Sequence, residues 1–82
     1  MAYDMTVHAV EEMADDGFDI IDVEHAVLSG RIVRREKNDP RGTQYVIEGF
    51  ASDGDTQVGV VGRFQSNQTY LVITVYEVGK EQ

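Results

Sequence analysis

The spacing of apolar residues changes at Gly30, and this change restricts the chain to an α+β fold. Before Gly30, apolar residues recur every three or four positions, which is the spacing of one face of a helix. After Gly30, segments rich in β-branched and aromatic residues are separated by turn sequences, which is typical of strands. The sequence therefore predicts a helical part followed by a sheet.

Two helices are predicted in the first part of the chain, joined by a connection short enough for a helical hairpin. Thr6 and Asp19 are suited to the N-cap, and Asp22 supplies the second half of a capping box. Gly17 and Gly30 are suited to the position after the last turn, where a left-handed backbone favours glycine. The predicted helices span residues 6–16 and 19–29.

The apolar spacing also predicts which side of each helix faces the core. In the first helix the apolar stripe consists of Val7, Val10, Met13 and Ala14. The stripe of the second helix is formed by Ile20, Val23, Ala26 and Val27, widened by Ile21 and Leu28.

Four strands are predicted in the second part of the chain, joined by short turns. Pro40 and Gly42 mark a turn over residues 38–42, and Asp53-Gly54 is a hairpin signal. Short connections favour an antiparallel meander, with the two helices packed on one face of the sheet. The predicted strands span residues 31–37, 43–51, 56–64 and 69–78.

The length and composition favour one small cytoplasmic domain. The 82 residues predict a single domain, residues 1–82. The chain has no cysteine, which excludes disulfides and cysteine nucleophiles and suits a reducing compartment. We expect neither a membrane-spanning segment nor a signal peptide, because no apolar stretch has the required length or flanks. No glycine-rich phosphate loop is present, so no cofactor is expected.

The charge is distributed unevenly along an acidic chain of net charge −8. Residues 1–30 contain eight acidic and no basic residues, so the overall field opposes tight binding of RNA. The basic residues concentrate in and after the first predicted strand, which we expect at an edge of the sheet. There the charges would either oppose aggregation or bind a partner. These residues are Arg31, Arg34, Arg35, Lys37 and Arg41.

Four polar residues of the first helix share one face and have two interpretations. Imidazole and carboxylates at this spacing can converge on one metal ion, but a single histidine is a weak signature. The favoured interpretation is a solvated polar face, so no metal site is predicted. The four residues are His8, Glu11, Glu12 and Asp15. In the second helix, His25 follows Asp22 by one turn. His25 could therefore be an oriented base, but an exposed pair of the two residues is more common at this spacing.

Three residues of the last two predicted strands also have two interpretations. Arg63 can stabilise negative charge that develops during phosphoryl chemistry, while Tyr70 or Tyr76 moves protons. The favoured interpretation is that both tyrosines are half-buried sheet residues with solvated hydroxyl groups.

One ordered set of residues extends over nearly the whole chain. The set consists of His8-Ala9, Met13, Gly17-Phe18, Asp22-Val23, Ala26, Gly30, Ile32, Asp39-Pro40-Arg41, Tyr45, Gly49, Asp53-Gly54, Val60-Val61 and Ile73-Thr74-Val75-Tyr76. In this order the residues resemble a family of small, uncharacterised bacterial proteins. Some members of that family look like toxins of the RelE and BrnT type, which are small α+β ribonucleases encoded beside an antitoxin.

The resemblance implies a RelE-like fold in which two helices precede four antiparallel strands, ααββββ, and an antitoxin as a partner. If the function is that of a ribonuclease, the candidate catalytic residues are His8, Arg34, Arg63 and Tyr76. Glu12 departs from the family pattern, which has arginine there. Because RNA cleavage by such folds relies on cations around the scissile phosphate, the acidic helix argues against that activity.

Two classes of function follow from these observations. We favour a small interaction module, or an inactive homologue of a RelE-like toxin, that binds a protein partner or a second copy of the chain. The alternative is a toxin-like endoribonuclease of a toxin–antitoxin pair.

Overall fold

The computed structural model describes residues 3–37 and 40–79, so Asn38 and Asp39 of the predicted turn lie outside the described residues. The predicted α+β class is confirmed, with small changes at the ends of the elements. In chain order, the elements are β1 (Tyr3–Met5), α1 (Val7–Asp15), α2 (Ile20–Ser29), β2 (Arg31–Glu36), β3 (Gln44–Phe50), β4 (Gln57–Phe64) and β5 (Tyr70–Glu77).

The sheet has five strands, in the order β1-β5-β4-β3-β2. The four predicted strands, β2 to β5, form the expected antiparallel meander. The additional strand, β1, pairs parallel with β5, and Tyr3 lies opposite Tyr70. The prediction of a four-stranded, entirely antiparallel sheet was therefore wrong. A strand of three residues is too short to show alternation, and its partner lies at the other end of the chain.

Both helices begin at the predicted caps. The Thr6 side chain accepts a hydrogen bond from the Ala9 amide at 3.1 Å. Asp19 and Asp22 bond reciprocally through side chain and backbone at 3.1 and 3.0 Å, which is the predicted capping box. After α1, Gly17 has the expected left-handed backbone, with φ of +76°.

Gly30 ends α2 for a different reason from the one predicted. Its φ is −91°, so the backbone is not left-handed. A Cβ atom at Gly30 would meet the carbonyl oxygens of Glu48 and Ala26, and a Cβ atom at Gly49 would meet the Ala26 carbonyl oxygen. The two glycines therefore allow the backbones of α2 and β3 to approach more closely than side chains permit.

The core lies between the two helices and one face of the sheet. Both helices place small or β-branched residues against the strands, and the centre of the sheet supplies most of the buried valines. The buried cluster consists of Ala9, Val23, Ala26, Ala51, Val58, Val60, Tyr70, Val72 and Val75. Within the described residues, neither helix combines the length and apolarity needed to cross a bilayer.

The predicted apolar stripe of α1 was wrong at its first two positions, although Met13 packs against the core as predicted. Val7 is 76% exposed and Val10 is also exposed, whereas Ala9 is fully buried. The reason is tertiary: Thr6 is hydrogen bonded to β5, which orients α1 so that Ala9 faces the sheet. In α2 the centre of the predicted stripe, Val23, is buried as expected.

Candidate interaction surface

On one side of the sheet, β5 is bordered by the short strand β1 and, beyond it, by α1. Beyond the end of β1, the Thr6 amide donates a hydrogen bond to the Val72 carbonyl at 3.0 Å. The Thr6 hydroxyl donates to the Ile73 carbonyl at 3.1 Å, and the Val75 amide donates to the Glu12 carboxylate at 3.2 Å. The residues at the start and middle of α1 therefore satisfy backbone groups of β5 that would otherwise face solvent.

Glu12 consequently has a structural role that the sequence did not indicate. Truncating it leaves the Val75 amide without its charged acceptor, so we expect Glu12→Ala to lower the free energy of unfolding by about 1–2 kcal/mol. The matched control is Glu11→Ala, because Glu11 is exposed on the same helix. Urea denaturation of both variants is the measurement. Equal losses for the two variants would contradict the role assigned to Glu12.

His8 lies on the helical side of the molecule. Its Nε2 atom is 3.3 Å from the Glu12 carboxylate, and its side chain is exposed. Glu11 and Asp15 are exposed on the same helix. Among the residues that the structure describes, no group of three or more histidine, cysteine, aspartate or glutamate residues is arranged to hold a metal ion.

The opposite edge of the sheet is β2, which pairs with no further strand within residues 3–37 and 40–79. β2 is last in the strand order and pairs with β3, as predicted for a polar edge strand. All six of its residues, Arg31–Glu36, are exposed. The two sides therefore differ: the first ends in a strand of only three residues with α1 beside it, while the other presents a strand of six exposed residues.

The hydrogen bonds of β3 determine which backbone groups of β2 point outward. The Ala51 amide donates to the Thr56 carbonyl at 2.8 Å, so these two residues form a bonded pair at the β3–β4 turn. Bonded and non-bonded pairs alternate along an antiparallel ladder. Counting back along β3, Gly49 and Ile47 bond to β4, while Glu48 and Val46 present their amide and carbonyl groups to β2.

This alternation continues into β2. Arg34 and Glu36 lie opposite Val46 and Gln44 and form bonded pairs with β3. Ile32 and Arg35 lie at non-bonded positions, so their backbone amide and carbonyl groups point away from the sheet. Between them, a β-bulge shifts the register. β2 thus offers donors and acceptors to an additional strand.

Three of the four predicted catalytic residues share the face of the sheet opposite the helices, which we call the open face. Register places Arg34 beside Val46, Arg63 beside Leu71, and Tyr76 beside Gly59, with the Tyr76 ring packed over that glycine. Strand spacings of about 4.8 Å and rises of about 3.3 Å per residue put the three Cα atoms roughly 12–16 Å apart. The structure therefore brings these three residues to one face without converging them, and it leaves His8 on the other side.

Among the residues that the structure describes, the side chains of the β2 arginines make contacts only at the surface. The Nε atom of Arg34 is 3.3 Å from Glu36, and both side chains are more than half exposed, so this ion pair contributes little to stability. Arg35 lies on the helical side of the sheet, with its guanidinium carbon 6.0 Å from the centre of the Tyr45 ring. Within the described parts of the chain, Arg31 has no ion pair.

Tyr70 is a core residue and lies apart from the open face. It is buried, and its hydroxyl donates to the Tyr45 carbonyl at 3.4 Å. Burial, together with the neighbouring Tyr45, raises the pKa of Tyr70 to about 12. This environment suits packing and does not suit proton transfer near neutral pH.

Two side chains of α2 that were candidates for catalysis form hydrogen bonds with the end of β3 and with the β3–β4 turn. The Asp22 carboxylate accepts hydrogen bonds from the Ser52 hydroxyl at 2.6 Å and from the Ser52 amide at 3.0 Å. The Ser52 hydroxyl is the main cause that lowers the pKa of Asp22. His25 contacts the Phe50 carbonyl through Nδ1 at 2.7 Å. The two residues thus have separate partners, and among the described residues neither the orientation of His25 by Asp22 nor the exposed ion pair between them is present.

The same turn contains an aspartate with a strongly lowered pKa. Asp53 accepts bonds from the backbone amides of Thr56 and Asp55 and from the Thr56 hydroxyl, and these bonds lower its pKa to about 2. Because the folded pKa lies below the unfolded value of about 3.9, the contribution of Asp53 to stability is present above about pH 4 and is lost as pH falls toward 2. An NMR titration of the carboxyl carbon should give about 2, and Thr56→Val should raise it. An ordinary value in the wild type would contradict the assignment.

A cleft of about 270 Å³ opens beside the start of β2. It lies where the end of α2 meets β3 and β4, and its walls combine polar side chains with one aromatic ring. The lining residues are Ser29, Gly30, Arg31, Glu48, Gly49, Phe50 and Gln57. Arg31 connects this cleft to the open edge.

Comparisons with known proteins identify the family of the chain. Neither curated proteins nor solved structures gave a match. One family model, described as a domain of unknown function (DUF4258), matches residues 5–77, which include every helix and nearly all of the sheet. The chain therefore belongs to the DUF4258 family.

Proposed function

We propose that this domain is a protein-interaction module that adds an extended segment of a partner protein to its sheet, beside β2. The observation that carries the proposal is the difference between the two edges. On the first side, β1, Thr6 and Glu12 together bond to the backbone of β5, whereas β2 presents the outward backbone groups of Ile32 and Arg35 along a longer exposed strand. Addition of a strand to such an edge is a common mode of peptide recognition, in which backbone hydrogen bonds supply affinity.

The charge of β2 indicates that the partner is a different protein. β2 carries three arginines and one glutamate, so pairing two copies would bring together two strands of net positive charge. The acidic residues 1–30 are no alternative source of a strand, because most of them lie in α1 and α2 or in the loop between these helices. An extended segment of a second protein avoids both problems.

A displayed library of short peptides tests this function. Binders are selected on the wild-type domain and then compared on Arg35→Pro, which removes the outward amide of β2 without removing a bond to β3. We expect enriched peptides that bind the wild type and lose binding to the variant. Enrichment of peptides that bind both proteins equally, or no enrichment above background, would contradict the proposal.

As an interaction module, the domain would be an inactive relative of RelE-like toxins. Two contacts support this view. Glu12, at the position where the family resemblance implies arginine, is engaged with the Val75 amide. His8, the first candidate catalytic residue, lies on the helical side and faces Glu12, away from Arg63 and Tyr76.

The second candidate function is a toxin-like endoribonuclease, favoured by the shared open face of Arg34, Arg63 and Tyr76. The three residues are too far apart to contact a single scissile phosphate together. Their spacing is better suited to contacts with successive chemical groups along an extended ligand. Given the net charge of −8, we expect no complex with single-stranded RNA tighter than roughly micromolar at physiological salt, and no cleavage. A mobility-shift assay and an RNA cleavage assay measure the two quantities. Cleavage that is lost in Arg63→Ala and Tyr76→Phe, and kept in His8→Ala, would favour the endoribonuclease.

A further inference from the structure

We propose that the segment bound at β2 alternates acidic and apolar residues, with its acidic side chains on the open face beside Arg31 and Arg34. This inference rests on the proposed function and specifies the chemistry of the partner. It follows from three features of the edge: the faces on which its side chains lie, the charges on each face, and the apolar surface that remains uncovered.

The register of β2 assigns its side chains to two faces. Residues directly opposite each other in an antiparallel pair lie on the same face of a sheet. Arg31 lies opposite Glu48 and Arg34 lies opposite Val46, so both arginines belong to the open face with these residues. A strand added outside β2 continues the same rows, so every second side chain of that strand lies on the open face, where its neighbours in β2 are Arg31, Arg34 and then Glu36.

The open-face side of β2 favours acidic neighbours. Arg31 makes no ion pair within the residues that the structure describes, and Arg34 has only an exposed pair with Glu36. Opposite charges on neighbouring strands stabilise pairing, whereas like charges directly opposite destabilise it. A carboxylate beside Arg34 would share its guanidinium group with Glu36 or replace that contact, because the planar group offers five donors.

The other face of the same edge favours apolar neighbours. Ile32 lies opposite Ile47 on the helical side and is 42% exposed. Arg35 lies on the same face, above the Tyr45 ring. An apolar side chain of the added strand would cover Ile32 and the aliphatic part of Arg35, removing apolar surface from water. Alternation of the two residue classes follows because the side chains of a strand point to opposite faces in turn.

The experiment compares synthetic octapeptides by fluorescence anisotropy. One peptide alternates Glu and Val, the second alternates Lys and Val, the third alternates Thr and Val, and the fourth has the composition of the first arranged as Glu-Glu-Val-Val. The protein is the full chain, as wild type and as the double variant Arg31→Glu with Arg34→Glu. Both substitutions lie on an exposed edge, and circular dichroism checks that the variant is folded.

We expect the wild type to bind the alternating Glu peptide about tenfold more tightly than the Lys peptide or the Glu-Glu-Val-Val peptide. The double variant should reverse the preference between Glu and Lys. Equal binding of the Glu and Lys peptides, or no preference for alternation, would overturn the inference. If only the Thr peptide binds the wild type, and it does not bind the Arg35→Pro variant, the proposed interaction module is supported and the acidic specificity is refuted. If no peptide binds, the proposed function is refuted as well.

Discussion

Replacing Gly49 with alanine is expected to lower the free energy of unfolding by about 3 kcal/mol or more. The new Cβ atom would meet the Ala26 carbonyl oxygen and the Gly30 Cα atom, which are backbone atoms that cannot rotate away. The clash can be relieved only if α2 moves away from β3, and this movement would separate Val23 and Ala26 from the core. Because small domains have total stabilities of only about 5–15 kcal/mol, this loss should be visible directly in urea denaturation.

Gly54→Ala is the matched control for this prediction. Gly54 has φ of +73°, and a Cβ atom added there would have no neighbouring atom within 4 Å, so its substitution carries a conformational cost without a clash. We expect a loss of about 1 kcal/mol. If Gly49→Ala were no more destabilising than Gly54→Ala, the close contact between α2 and β3 would not be important for stability.

Arg35→Pro is expected to weaken binding of the alternating Glu and Val peptide about thirtyfold, which corresponds to about 2 kcal/mol. Proline removes the outward amide donor of β2, and its ring obstructs the approach of an added strand. Since the Arg35 amide does not bond to β3, the variant should keep its stability to within about 1 kcal/mol, as edge prolines usually do. Anisotropy titration and urea denaturation measure the two effects.

Arg35→Ala separates the backbone effect from the side-chain effect. This variant keeps the amide and removes the guanidinium group that lies above Tyr45. We expect Arg35→Ala to weaken binding of the same peptide as well, but by a factor several times smaller than that of Arg35→Pro. Equal effects of the two substitutions would mean that the side chain, and not an added strand, accounts for the contact with the peptide.

Much of the fold could be predicted because its signals are local. The caps at Thr6 and Asp19 and the change of periodicity at Gly30 are read from a few neighbouring residues. The features that were missed depend on distant contacts. β1 is recognisable only by its pairing with β5, and the buried side of α1 is determined by the hydrogen bonds of Thr6 to that strand.

The candidate surface was predictable only in part, for the same reason. The basic residues of β2 and its position at an edge could be inferred from composition and polarity. The direction of the backbone groups at Ile32 and Arg35 could not be inferred from the sequence. It depends on the register of β2, β3 and β4, which is determined by two turns and a bulge. The role of Glu12 was also hidden, since its partner is a backbone amide in β5.

The most direct test of strand addition is amide hydrogen exchange, measured residue by residue by NMR with and without the alternating Glu and Val peptide. The outward amides of Ile32 and Arg35 have no partner in β3, whereas those of Arg34 and Glu36 already bond to it. The proposed function predicts that exchange at Ile32 and Arg35 slows at least about tenfold on binding, and that Arg34 and Glu36 change less. Unchanged exchange at Ile32 and Arg35 under saturating peptide would contradict it.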